Sequence, residues 1–142
     1  LRTVNDIKGT LQALEQDAGA DIAYSVTPSR RSPYFNMVAK KEDGYYHTVT
    51  ETKFTTRQQC PVCFDMNASI YAYRRAYTLE DRILPRREVV WQMKDTGILD
   101  IDSEEDYELM QVLAEYFYRK YPEYGEIREM AERMLQVKKA DA

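Results

Sequence analysis

Apolar positions three and four residues apart open the chain. Ile7, Leu11 and Leu14 recur at helical spacing, and Thr3-Val4-Asn5-Asp6 reads as a capping box. A helix is therefore predicted to about Ala18, with those three side chains on its inner face and Gly19 ending it. Ile22-Ala23-Tyr24-Ser25-Val26-Thr27 carries apolar residues on both faces, the pattern of a strand inside a parallel α/β sheet. The strands that would precede it are not in the sequence, which starts at Leu1 and reads as cut or processed from something longer.

From Pro33 to Tyr73 the pattern changes. Extended segments at 34–40 and 45–49 flank Glu42-Asp43-Gly44, a hairpin-like turn. The polar run Arg57-Gln58-Gln59 leads into a strand from Met66 to Tyr73. Arg74 to Asp81 reads as a short helix with Arg74 and Arg75 in solvent, and Glu88 to Met93 as another strand before a turn at Gly97. A helix starting at Ser103 turns Leu109, Met110, Leu113, Ala114 and Phe117 toward the core. Pro122 interrupts it. The last helix, Tyr124 to Lys139, turns Ile127, Met130, Ala131 and Met134 inward, with Arg128/Glu132 and Glu129/Arg133 as pairs on its wet face.

A chain of 142 residues is about one domain. Its net charge of −4 argues against broad nucleic-acid or anionic-membrane surfaces. No apolar run approaches the roughly 20 residues of a membrane-spanning helix, and no signal-like start is seen. Cys60 and Cys63 form one CxxC. A structural zinc site needs two further ligands, and His47 is a single candidate. A thioredoxin-like motif belongs at a helix start, whereas this segment reads as extended. The pair is read as two incidental thiols in a reducing, cytoplasmic compartment. The 12 tyrosines surround no RNP-like pattern and read as packing and interface residues.

The densest chemistry lies at 99–109, LDIDSEEDYEL. Ser103 with Asp106 fits a capping box, and Glu104, Glu105 and Asp106 complement the dipole of a helix start. Asp100 and Asp102 are not explained that way. At the end of a short strand they would share a face, where two charges about 6 Å apart repel by roughly 3 kcal/mol at an effective dielectric of 20. Such a pair suits Mg²⁺, which takes few protein carboxylates and keeps waters. An EF-hand is excluded, since its sixth position needs Gly and here it is Glu105. The local pattern alone leaves a capped helix start and a metal pair both open.

Four blocks, in order and spacing, resemble the C-terminal portion of the acylneuraminate cytidylyltransferases, or CMP-sialic acid synthetases. Leu1-Arg2-Thr3 looks like the end of the family's PTSPLRT stretch. Arg31-Ser32-Pro33-Tyr34 is similar to the entry into its dimerisation arm. Arg57-Gln58-Gln59 followed by Asn67-Ala68-Ser69-Ile70-Tyr71 resembles its RQ…NG-IY pattern, and Asp100 to Asp106 its DIDT-x-x-D signature. The resemblance implies an α/β fold with part of a Rossmann-like nucleotidyltransferase sheet, an extended β dimerisation arm at about 31–73, and sheet strands with C-terminal helices at about 88–142. All of it would be the C-terminal portion of a single domain.

The implied reaction is transfer of CMP from CTP to a sialic acid-like nonulosonic acid, releasing pyrophosphate. Asp100 and Asp102 match the family's catalytic, Mg²⁺-holding pair. Arg57 matches an arginine that reaches across a homodimer toward the partner's site, and Arg31, Gln58 and Asn67 fall in its substrate-binding blocks, where Asn67 is either a sugar contact or a turn-closing residue. A two-pronged guanidinium can grip a carboxylate or a phosphate. Two positions differ from the pattern. Asp65 stands where sialic acid synthetases commonly carry arginine, which leaves the exact nonulosonic acid open, a legionaminic- or pseudaminic-like one included, and Ser69 adds a hydroxyl. The family's glycine-rich, triphosphate-cradling segment is not in these residues, so the chain alone is expected to make no CMP-sugar. A Kdo cytidylyltransferase would read VDTPEDL where this chain has Ser103-Glu104 after Asp102, which leans against it. The alternative of another class is a non-catalytic dimerisation or binding module, in which the carboxylate pair and Arg57 would have no work.

Overall fold

The computed structural model describes residues 1–78, 87–96 and 100–140. Helix α1 (Val4–Gln16) starts at the predicted capping box. Asp6 N–H donates to the Thr3 hydroxyl at 3.2 Å, and the Asp6 carboxylate accepts the Thr3 amide at 2.8 Å. The other oxygen of Asp6 accepts the Trp91 indole N–H at 3.3 Å, so the cap also fixes a ring of the sheet.

Strand β1 (Ile22–Pro28) lies at the centre of a three-stranded sheet, between β4 (Phe64–Tyr73) and β5 (Glu88–Gln92). It runs parallel to β5, from Ile22 opposite Glu88 to Val26 opposite Gln92, and antiparallel to β4. The expected parallel sheet is thus a mixed one. The chain returns from the arm directly alongside β1 and reverses, whereas the route to β5 is a crossover that includes the short helix α2 (Arg75–Thr78). Residues 79–81, where that helix was expected to end, and the Gly97 turn lie outside the described residues.

Helix α1 covers one face of the sheet, and Leu14, Ala20, Ala23 and Ala72 form the core there. The helix faces inward through Asp6, Gly9, Thr10 and Leu14, while Ile7 and Leu11 are 43% and 48% exposed. This corrects the predicted face at Ile7 and Leu11, while Leu14 is buried as expected. The reason is steric: a Cβ on Gly9 would stand 2.3 Å from the Trp91 ring, so the stripe of small residues admits the indole and the helix rotates accordingly.

The arm holds the hairpin of β2 (Val38–Lys40) and β3 (Tyr46–Thr48), turned at Gly44 with φ +85°. Residues 34–36, expected to be extended, form a turn. The Ser32 carbonyl accepts amides from Phe35, Asn36 and Met37, and the Asn36 side chain closes back on the Ser32 amide at 2.6 Å. A 3₁₀ turn (Arg57–Gln59) precedes β4.

Helix α3 (Glu104–Lys120) starts at Ser103, and α4 (Pro122–Ala140) takes Pro122 as its first residue, where the missing N–H costs nothing. Phe117 and Tyr124 are buried where the helices meet. The wider apolar faces expected in the core are not. Leu109, Met130 and Met134 are 48%, 57% and 62% exposed; Ala131 is also exposed, while Met110, Leu113, Ala114 and Ile127 are half-buried. These stripes are broader than the contact the two helices make with each other, and periodicity reports an apolar stripe rather than its cover. The Arg128–Glu132 and Arg133–Glu129 pairs form on the wet face at 3.0 and 3.5 Å.

Candidate functional site

The parallel strands β1 and β5 end side by side, and the crevice beyond the carboxyl ends of such strands is the usual ligand position in α/β sheets. An open cavity of about 220 Å³ lies there, its lining including Thr27, Arg30, Asp65, Asn67, Asp95 and Asp100. Two of the predicted site residues, Asn67 and Asp100, therefore meet in one place.

Asn67 is held by a break in the strand register. Tyr24 pairs with Tyr71 and Val26 with Met66, so Ser25 alone faces the whole of Asn67-Ala68-Ser69-Ile70. The buried Ser25 hydroxyl donates to the Asn67 amide oxygen at 2.7 Å and accepts the Ile70 amide at 3.0 Å. The same Asn67 oxygen accepts the Ser69 amide at 3.3 Å, and its NH₂ points to the Met93 sulfur at 3.5 Å. Ala68 sits at φ +48°, the left-handed region that glycine adopts freely. Strain of this kind persists where surrounding structure over-determines it, and it clusters at functional sites.

Asp100 lines the cavity wall, but the described residues 100–102 form no strand, so alternation does not set the facing of the two acids. Asp102 lies outside the cavity lining, immediately before α3, its amide donating to Asp106 Oδ2 at 3.2 Å. Asp106 also accepts the Ser103 hydroxyl at 2.6 Å, and that bond, aided by the Asp102 and Ser103 amides, holds its carboxyl below the usual aspartate value. Both Asp100 and Asp102 are exposed. No side-chain hydrogen bond or ion pair engages either carboxylate among the described residues. A hard cation that keeps most of its waters fits two such free carboxylates. Among the described residues no group of three or more His, Cys, Asp or Glu is placed to hold a metal, so a closed protein cage is not the geometry here.

The predicted cationic residues gather elsewhere. Arg31, Arg57 and Gln58 line a second cavity of about 270 Å³, beside Ser29 at the end of β1. Within one chain Arg31 and Arg57 line a different cavity from Asp100.

Sequence reasoning missed two lining residues. Arg30 grips Asp95 through two hydrogen bonds, at 3.1 and 2.8 Å, across the mouth of the acid-lined cavity. This pair also borders a larger open cavity of about 600 Å³ with Lys94, Phe117 and Tyr121. Lys94 lies 4.2 Å from the Tyr121 ring centroid and is paired to Glu123, which raises the ammonium above its usual value and lowers the carboxyl. The positions of Arg30 and Asp95 just beyond the ends of two adjacent strands were the available signal.

Arg74 is tied into the fold. Its guanidinium, expected in solvent, donates to the carbonyls of Leu14 at 2.7 Å, Ala20 at 2.8 Å and Asp17 at 3.0 Å, closing the C-terminus of α1.

The chain is 40% identical over 90 residues to the CMP-N,N'-diacetyllegionaminic acid synthase of Campylobacter jejuni. Most of the chain is thus similar to a CMP-acid synthase. This agrees with the resemblance to CMP-sialic acid synthetases. The matched span is 63% of this chain and 38% of that protein. A second relative, the post-translational flagellin modification protein B of Campylobacter coli, is 34% identical over 114 residues, 80% of this chain and 48% of that one. The chain therefore spans less than half the length of either relative. No family model matches it. No helix among the described residues is long and apolar enough to cross a membrane.

Proposed function

We propose that this chain is part of a cytidylyltransferase that transfers CMP from CTP to a sialic acid-like nonulosonic acid. The observation that carries the reading is the meeting of Asp100 with the bulge-held Asn67 beyond the ends of parallel strands β1 and β5. Similarity of the chain to a CMP-acid synthase over 90 residues supports it.

In this reaction the acid's anomeric hydroxyl attacks the α-phosphorus of CTP. The bond to the bridging oxygen breaks, pyrophosphate leaves, and the hydroxyl proton passes to a carboxylate. Such transfers depend mainly on positioning and charge neutralisation. Asp100 and Asp102 are the residues that would hold Mg²⁺, which when bound neutralises charge on the phosphates. Either carboxylate, unpaired among the described residues, can take the hydroxyl proton. Asn67, its amide oxygen held within the bulge, keeps the cavity wall in one shape and offers an N–H to a sugar hydroxyl.

Arg31, Arg57 and Gln58 bind the anionic substrate from the second subunit of a homodimer. The separation of their cavity from the acids within one chain favours that arrangement. So does the arm's apolar surface, where Val38, Tyr45 and Tyr46 are 61%, 72% and 68% exposed. The accepting sugar acid is of the legionaminic type, since Asp65, engaged by the Ser29 hydroxyl at 2.7 Å, offers no grip to a carboxylate. The reaction belongs to the cytoplasm.

The test takes the longest polypeptide in which this chain occurs. It is mixed with CTP, Mg²⁺ and di-N-acetyllegionaminic acid, and products are read by mass spectrometry. CMP-legionaminate with equal pyrophosphate is expected. If no nonulosonic acid gives a CMP product, the reading is wrong.

A further inference from the structure

The cavity at the arginines contains two groups that cytidylyl transfer does not use. Cys60 and Cys63, both free and half-buried, line it together with Arg31, Arg57 and Gln58. Among the described residues Arg31 and Arg57 have no ion-pair partner, and none that lines the cavity is a carboxylate. The thiols thus stand in a cationic recess that is open to small anions.

Neither sulfur is firmly engaged. Cys60 Sγ lies 3.7 Å from the Thr56 carbonyl and Cys63 Sγ 3.5 Å from that of Pro61, contacts of a weak donor. The backbone on either side is fixed. The Cys60 amide donates to the Arg57 carbonyl at 3.1 Å, closing the 3₁₀ turn, while the Cys63 carbonyl accepts the Ser29 amide at 3.0 Å as β4 begins. Only Pro61 and Val62 separate these two anchors.

We propose that Cys60 and Cys63 are a reversible modification site for small disulfides bearing carboxylates, drawn in by Arg31 and Arg57. A thiolate of the pair attacks one sulfur of the reagent, forming a mixed disulfide and releasing one thiol. The second cysteine's thiolate displaces the second thiol, and a Cys60–Cys63 bond forms. Two protons leave the protein's thiols, and the reagent takes up the two electrons as it becomes two thiols. A transient disulfide of this kind is compatible with a reducing compartment. The new bond draws the turn carrying Arg57 toward the start of β4, so oxidation moves the arginine's anchor. The proposal does not depend on the transfer reaction.

The test exposes the purified chain to glutathione disulfide, which carries carboxylates, and to cystamine, which is cationic. Unreacted thiols are then blocked with acid and intact mass is measured. The chain is expected to lose two hydrogens and keep no adduct, while Cys60→Ser and Cys63→Ser each retain one glutathione. Arg57→Gln is expected to slow the reaction with glutathione disulfide by roughly fivefold or more and leave that with cystamine unslowed. A stable glutathione adduct on the unaltered chain, no reaction at all, or an Arg57→Gln effect equal for both reagents overturns the proposal.

Discussion

The Ser25 hydroxyl and the Asn67 amide oxygen stand 2.7 Å apart, across a bulge in which one strand residue faces a whole turn of its neighbour. With Ser25 2% exposed, both its donated and its accepted hydrogen bond are made away from water. Removing the hydroxyl strands the Ile70 amide and frees Asn67. Ser25→Ala is expected to destabilise the chain by about 2 kcal/mol, read as a lower urea midpoint with unchanged slope. A loss under about 0.5 kcal/mol would mean that the bulge holds without this serine.

Ala68 carries a Cβ at φ +48°, a conformation that costs a non-glycine residue roughly 1–2 kcal/mol. Part of that relief is offset by glycine's greater freedom in the unfolded chain. Ala68→Gly should therefore stabilise by about 0.5–1 kcal/mol. Thermal unfolding checks it, and a lowered midpoint would contradict the strain.

Arg74 acts at a distance along the sequence on the end of α1, its guanidinium satisfying carbonyls that a helix terminus leaves open. Arg74→Ala is predicted to cost about 2–3 kcal/mol. Arg74→Lys should recover less than half of this, because a single ammonium cannot reproduce the fork. Equal stability of the Ala and Lys variants with the unaltered chain would place the arginine outside the fold's support.

The starts of α1 and α3 were legible because their caps rest on local chemistry, at Thr3–Asp6 and Ser103–Asp106. Which face of α1 turns inward was not. That depends on Trp91, far along the chain, needing the space above Gly9. The antiparallel return of β4 is likewise set by how the arm comes back, which no window of periodicity contains. At the site, residue types were readable and partners were not. Asp100 and Asn67 were named from motif blocks, whereas Arg30, Asp95 and Ser25 matter through contacts 42 to 65 positions away in sequence.

The carboxyl of Asp106 is held below its ordinary value chiefly by the Ser103 hydroxyl. A pKa depressed on folding gives stability that is full above the unfolded carboxylate value and is lost as pH falls through the folded one. The first turn of α3 should therefore loosen below about pH 4. Amide chemical shifts of Asp102 and Asp106 would follow it. In Asp106→Asn the acid-dependent change of those shifts should shrink, and an unchanged titration there would assign the effect to another group.

The most direct measurement is the turnover number of Asp102→Asn in the longest polypeptide carrying this chain, with CTP and the nonulosonic acid saturating. Circular dichroism is recorded alongside. A loss of roughly 100-fold or more is expected, as charge stabilisation worth several kcal/mol is removed, with the fold intact. Turnover within about threefold of the unaltered enzyme would contradict it, and would take the carboxylate pair out of the chemistry.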